Sequence, residues 1–251
     1  MNTSRASGTG RSRLTALLVV LAVAAATLLA VGIGGELYVR NSVSKCIAEA
    51  VEEEAGGPVS VGFGPAPILL SAFTHRVGRV DVDSEAMDLR SPGGTELRGI
   101  ALDARISDIS LPRDGRDGAA ESSSAKVTWP AEAMLRSLQG LPFGFAVTDL
   151  TADAGQDRIT VEFLSGVGTL VLTPRIEGGA VTMEVVEASA LGLGLPSDFA
   201  QQIIDRLAED LADYPLDLRP TEVSVSDSGL HISLRGGHTP LQADTVDCRV
   251  F

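Results

Sequence analysis

From Val59 to about Gly194 the hydrophobic period is two, in strands that follow one another with turn residues between them, and this alternation constrains the chain more than any other feature. A period of two gives an extended strand one apolar and one polar face. Val80 and Val82 alternate with Asp81 and Asp83, and Ile100, Leu102, Ala104 and Ile106 alternate with Ala101, Asp103 and Arg105. Ile159, Val161 and Phe163 do the same against Thr160 and Glu162. Leu170 and Leu172 lead through Gly178-Gly179 into Val181, Met183 and Val185, which predicts a hairpin. A second hairpin pairs Val223 and Val225 with Leu230, Ile232 and Leu234 across Asp227-Ser228-Gly229. Strands so close in sequence are antiparallel. The runs are about 10 to 14 residues long where a mean strand has about 5 or 6. Residues 112–124, rich in Gly, Asp and Ser, read as a long solvated loop.

Two helical patterns flank the strands. Val39, Val43, Cys46, Ile47, Ala50 and Val51 form one stripe, with Arg40, Lys45, Glu49, Glu52 and Glu53 off it, and Gly56-Gly57-Pro58 ends the pattern. Over residues 197–213 the stripe is Phe199, Ile203, Leu207 and Leu211; Asp198 and Gln201 suit a capping box, and Pro215 ends it. The fold expected is α+β, a long curved antiparallel sheet wrapped around one or two amphipathic helices. Aromatic residues are only 4% of the chain, so Val, Ile, Leu and Ala must line the interior. Both a packed core and an elongated aliphatic space fit that pattern.

Residues 14–33 form an unbroken apolar run, and about 20 such residues cross a hydrocarbon core of about 30 Å. Arg5, Arg11 and Arg13 precede it without an acidic counterweight, which keeps that flank in the cytoplasm. The organisation expected is a basic cytoplasmic tail at 1–13, a single transmembrane anchor at 14–35 and an extracytoplasmic domain at 36–251. A cleaved signal peptide is the competing reading, but its apolar region is shorter, about 7 to 15 residues.

The whole chain carries a net charge of −13, and the exported part is more negative still, because the acid-free start holds three arginines. Such a charge argues against nucleic acid and against docking on anionic lipid through a broadly basic surface. Cys46 and Cys248 are the only cysteines. An oxidising compartment makes a disulfide between them the natural pairing, with two separate buried thiols as the alternative.

Three stretches stand out in order: Val59-Ser60-Val61-Gly62 with Pro67-Ile68-Leu69 and Val80-Asp81-Val82; Leu195-Pro196 before the second helical pattern; and Pro215-Leu216-Asp217-Leu218 followed by Val223, Val225 and the Asp227 turn. Together they resemble the LmeA-like family of actinobacterial envelope proteins, known as phospholipid-binding. The likeness runs from about Leu37 to Leu241, although an aromatic is usual where Ile68 stands. It implies a fold like that of tubular lipid-binding proteins, with acyl chains held between sheet and helix. The expected function is therefore a membrane-anchored, extracytoplasmic phospholipid-binding protein that holds or shuttles lipid in an aliphatic groove during envelope assembly or maintenance. The rival is a non-enzymatic envelope adaptor with a filled core, its protein partners unknown.

No G-x-S-x-G elbow, phosphate-binding glycine loop or zinc spacing occurs, so no catalytic residue, metal or cofactor is expected. His231 alternates with Leu230 and Ile232 and reads as outward and solvated. Gly166-Val167-Gly168 and Gly192-Leu193-Gly194 read as strand ends. The candidate lipid contacts are the apolar stretch Ile68, Leu69, Leu70 and Phe73, which is neither a clean strand nor a clean helix, as the lip of an entrance near the bilayer. Arg76 and Arg79 beside it could meet a phosphate headgroup. Val161, Phe163, Val181, Met183 and Val185, facing Ile203 and Leu207 of the second helix, would line the acyl space.

Overall fold

The computed structural model describes residues 32–53, 56–90, 96–112, 117–141, 144–190, 193–194 and 214–241. Helix α1 covers residues 32–53, and its Val39, Val43, Cys46, Ile47, Ala50 and Val51 are buried or half-buried while Lys45, Glu49 and Glu53 are exposed, the stripe the sequence predicts. Strand β1 (Ser60–Phe63), helix α2 (Ile68–Thr74) and strands β2 (Arg76–Arg90), β3 (Glu96–Ser110) and β4 (Gly118–Pro130) follow. Helix α3 (Ala131–Gln139) leads to β5 (Val147–Asp153), β6 (Arg158–Phe163), β7 (Gly168–Glu177), β8 (Ala180–Ala190) and β9 (Leu193–Gly194). The described residues end with β10 (Arg219–Ser226), β11 (Gly229–Gly236) and β12 (Thr239–Leu241).

The architecture is α+β and antiparallel, but the strands among the described residues form two sheets rather than one. The first is seven-stranded, in the order β1-β2-β3-β4-β11-β10 with β12 also on β4; the second is five-stranded, β5 to β9 in sequence order. The break comes at α3, which pattern reading misses because its nine residues leave an alternating context for only about two and a half turns. Ser137 Oγ fastens α3 to the first sheet, accepting the Arg98 N–H at 2.9 Å and donating to the Ala133 carbonyl at 3.0 Å. Gly99, at φ +66°, lets β3 pass close to Ala133 where a side chain would crowd it.

Other departures from the sequence reading have local causes. Residues 118–124, expected in a loop, belong to β4: Ala120, Ser123 and Ala125 are buried, and β3, β11 and β12 pair with this strand. Small residues carry weak strand preference, and partners on both sides supply what propensity does not. The stretch containing Ile68 and Phe73 is helical as α2, with Glu36 meeting its first amide groups. Strands β2 and β3 each reach 15 residues, longer than expected. Both predicted hairpins form, as β7–β8 and β10–β11. The second helical pattern, residues 197–213, lies outside the described residues, as do Leu195-Pro196, Cys248 and all but the end of the 14–33 run. Among the described residues no helix is long and apolar enough to cross a membrane.

Registers define one apolar face of the seven-stranded sheet. Val61 pairs with Val82, Val82 with Ala104, Leu102 with Val127, Val127 with Ile232, and Ile232 with Val223. The opposite face carries Asp81, Asp83, Asp103, Arg105, Lys126 and His231. Ile47, Ala48 and Val51 of α1 pack over one end of the apolar face, against Val59, Val61, Met87 and Ile100. Leu218, with Tyr214 and Leu216 beside it, packs over another part, against Ala125 and Leu234.

The two sheets meet along β10 and β11. Val225 and Leu230 join Met134 of α3 and Val147, Leu150, Ile159, Val161, Leu172 and Val185 of the second sheet in one buried cluster. Polar clamps fix this junction. Asp157 Oδ1 accepts the Val225 N–H at 2.7 Å and Asp227 Oδ1 accepts the Ala154 N–H at 3.1 Å, so edge amides of β10 and the β5–β6 turn find carboxylates instead of water. The Val181 N–H donates to Tyr214 Oη at 3.2 Å, tying β8 to the segment that covers the first sheet.

Candidate functional site

Among the described residues, the apolar face of the seven-stranded sheet is only partly covered. Leu102, Ala104, Val127 and Ile232, neighbours across β3, β4 and β11, are half-buried, and so are Val80, Val82, Ile106 and Val223. Together they make an aliphatic strip, or shallow trough, against which the α1 cluster packs at one end and the Leu218 cluster at another. Ile232 and Val223 also border the cluster of the second sheet, against which Met183 packs too. Sequence reading notes the alternation that creates this face but nominates none of it, because alternation shows which residues share a face and not which of them a helix covers.

The nominated acyl-contact residues divide. Val161 and Val185 are 3% and 8% exposed, within the cluster against α3. Phe163 and Met183 are half-buried against that cluster, and Val181 is half-buried near Tyr214. Ile203 and Leu207 lie outside the described residues.

The nominated entrance residues come together better. Phe63, Gly64, Ala66, Pro67, Ile68, Ser71, Val77 and Gly78 line a small, shallow cleft together with Arg76 and Arg79. Leu69 is half-buried, whereas Leu70 and Phe73 are exposed at 53% and 82%. Arg79 Nε lies 3.0 Å from Asp81 Oδ2, an ion pair without hydrogen-bond alignment, and Arg105 Nε holds the other oxygen of the same carboxylate at 2.8 Å. Arg79 thus shares the single charge of Asp81 with Arg105. Arg76 is exposed, and among the described residues no carboxylate lies within ion-pair reach of it.

Beside the cleft, Glu36 of α1 accepts the amide protons of Ile68 at 2.6 Å and Leu69 at 3.0 Å. Arg40 donates to the carbonyls of Phe63 at 2.8 Å and Ala66 at 3.0 Å. Partial burial opposes ionisation of Glu36, but the Leu69 and Ile68 amides and the Arg40 charge outweigh it and hold the carboxyl below its usual range. The pair escapes sequence reading because Glu36 and Arg40 look like ordinary solvated helix positions.

His231 is not simply solvated. It is half-buried, with Nδ1 3.1 Å from Thr128 Oγ1 and Nε2 2.8 Å from Ser226 Oγ, on the polar face away from the trough. No group of metal-ligating side chains occurs among the described residues.

A trough of aliphatic side chains ending near a cleft with one unpaired guanidinium is a surface suited to an amphiphile. The profile of the LmeA-like phospholipid-binding family matches residues 30–235. The chain belongs to this family. Members of the LmeA-like family are described as phospholipid-binding, which agrees with the resemblance carried by Pro67-Ile68-Leu69 and the Pro215–Leu218 segment. Among curated proteins, uncharacterized proteins from two strains of Mycobacterium tuberculosis and from Mycobacterium bovis are 27% identical over 224 residues, 88% of this chain. The chain spans 63% of the length of these relatives. No solved structure matches the chain with significance.

Proposed function

We propose that the protein binds phospholipid with its acyl chains laid along the aliphatic trough and its headgroup near Arg76, and that it holds or shuttles lipid at the cell envelope. The observation that carries this reading is the half-buried row Leu102, Ala104, Val127 and Ile232, in a member of a phospholipid-binding family. An acyl chain on that row would remove apolar surface from water, worth roughly 0.8 kcal/mol per methylene. A few methylenes then offset the cost of association. Val181 and Met183 extend the row, with Val161, Phe163 and Val185 as its packed support, and Ile203 and Leu207 would face it from the second helix. Ile68, Leu69, Leu70 and Phe73 border the headgroup end. Arg79, bound to Asp81, serves mainly to shape the cleft.

The location follows from the sequence. The 14–33 run anchors the chain in the cytoplasmic membrane with its N-terminus inside, and the domain lies outside, where Cys46 and Cys248 form a disulfide between α1 and the C-terminal end. There is no free cysteine among the described residues, which accords with that pairing.

Native mass spectrometry of the full chain extracted in mild detergent tests the function. Phospholipid should remain bound, and Arg76→Ala should lower retention of anionic lipid more than Arg79→Ala does. Bare protein that takes up no fluorescent phospholipid would favour the envelope-adaptor reading.

A further inference from the structure

The large exposed apolar side chains are not scattered evenly. Ile33, Leu37 and Tyr38 of α1 are 61%, 62% and 68% exposed, and Leu70 and Phe73 of α2 are 53% and 82% exposed. Glu36 sits among the first three and holds the amides of Ile68 and Leu69, so the two helices present their apolar residues at one junction. Leu111, 37% exposed, joins them through its N–H bond to the His75 carbonyl at 2.9 Å. A soluble surface seldom spends so many large side chains in one place without a partner.

We infer that this α1–α2 tip is a membrane-docking surface that inserts into the outer face of a bilayer containing anionic phospholipid. Two observations select a bilayer over a protein partner. The apolar run of residues 14–33 is continuous in sequence with α1, so an anchor formed by that run, as proposed above, would bring Ile33 and Leu37 to the bilayer. The unpaired Arg76 borders the patch on a chain of net charge −13, which places a positive charge where lipid phosphates would lie. Leu70 and Phe73 then enter the acyl boundary, to a depth of about 5 to 10 Å for an apolar helix face. The clamp of Glu36 and Arg40 fixes the tip as one rigid unit rather than two independent segments.

A second exposed group, Phe145, Leu164 and Val167, lies on the other sheet. It has Glu162 near it and no leading apolar run, so it stays in water. This contrast gives the test, because Phe145 is 81% exposed, as fully as Phe73. The inference deepens the phospholipid reading by naming where the bilayer meets the domain.

The experiment reconstitutes the full chain in vesicles of brominated phosphatidylcholine and phosphatidylglycerol. Trp129, the one natural tryptophan, bonds the Arg98 carbonyl near the start of β3, while the tip lies by its end, roughly 40 Å away at about 3.3 Å per residue. Emission above this background reports the introduced residue. Phe73→Trp and Leu70→Trp should emit toward the blue and lose most of their added fluorescence to the brominated chains, whereas Phe145→Trp should emit as in water and stay bright. Two independent tip variants guard against one that folds poorly. Water-like, unquenched emission from both tip variants overturns the inference, and so does equal quenching of Phe145→Trp. Retention of lipid, read separately by native mass spectrometry, reports on the trough. An unquenched tip on a lipid-loaded protein refutes the docking surface alone, and a quenched tip on a protein free of lipid refutes the trough alone.

Discussion

Glu36 and Ile68, 32 residues apart in the chain, meet at 2.6 Å, where the Glu36 carboxylate accepts the first free amide proton of α2. With the Leu69 amide on its other oxygen, this one side chain replaces the N-cap that Pro67 does not provide. Glu36→Gln should leave the fold intact but loosen α2, with amide exchange at Ile68 or Leu69 faster by roughly tenfold, the scale of one lost hydrogen bond. Because the folded carboxyl titrates below its ordinary value of 4.5, the contribution is fully present at neutral pH and is lost as pH falls from 4.5 through the lower folded value. Exchange rates of wild type and variant should therefore converge in acid. Rates that differ equally at every pH would separate the clamp from ionisation.

Filling the trough should remove lipid without removing the fold. Val127→Trp and Ile232→Trp place a ring on the half-buried row, and both should abolish uptake of a fluorescent phospholipid at nearly unchanged thermal stability. Val161→Trp is the contrast. Its site is 3% exposed inside the cluster between α3 and the second sheet, so overpacking should cost about 1 to 3 kcal/mol in denaturant unfolding. If all three variants are merely less stable and wild type binds no lipid, the trough is ordinary core.

Leu230 is 2% exposed and belongs to the cluster that joins β11 to Met134 and the second sheet. Leu230→Ala leaves a cavity at that junction and should destabilise the protein by about 2 to 5 kcal/mol. Leu234→Ala, on the same strand but in the cluster with Leu218, should loosen the 214–218 segment first. Proteolysis or hydrogen exchange at Tyr214 to Leu218 distinguishes the two.

Alkylation of the unreduced, denatured chain checks the proposed disulfide. No label should enter before reduction and two should enter after it. Closing a loop of this length contributes on the order of 5 kcal/mol in the chain-entropy view, an upper figure because denatured-state structure reduces it. Cys46→Ser together with Cys248→Ser should lower the unfolding midpoint accordingly. Two reactive thiols in unreduced protein would rule the bridge out.

Local pattern is sufficient for some of this protein. Alternation in Ile100 to Ile106 determines which side chains of β3 share a face, because successive residues of any strand point to opposite sides. Gly178-Gly179 and Asp227-Ser228-Gly229 determine two hairpins through backbone preferences that need no distant partner. The stripe from Val39 to Val51 determines the packed side of α1 in the same way. Other features required the assembled chain. The small residues from Gly118 to Ala125 become a central strand only because β3, β11 and β12 pair with them, and α3 splits the strands into two sheets because Ser137 and Gly99 give it a seat on β3. Which members of an apolar face end up packed, as Val161 is, and which stay half-open, as Val127 does, depends on what lies across from them. That depends on contacts between residues far apart in sequence, whose closure entropy and packing no local window contains.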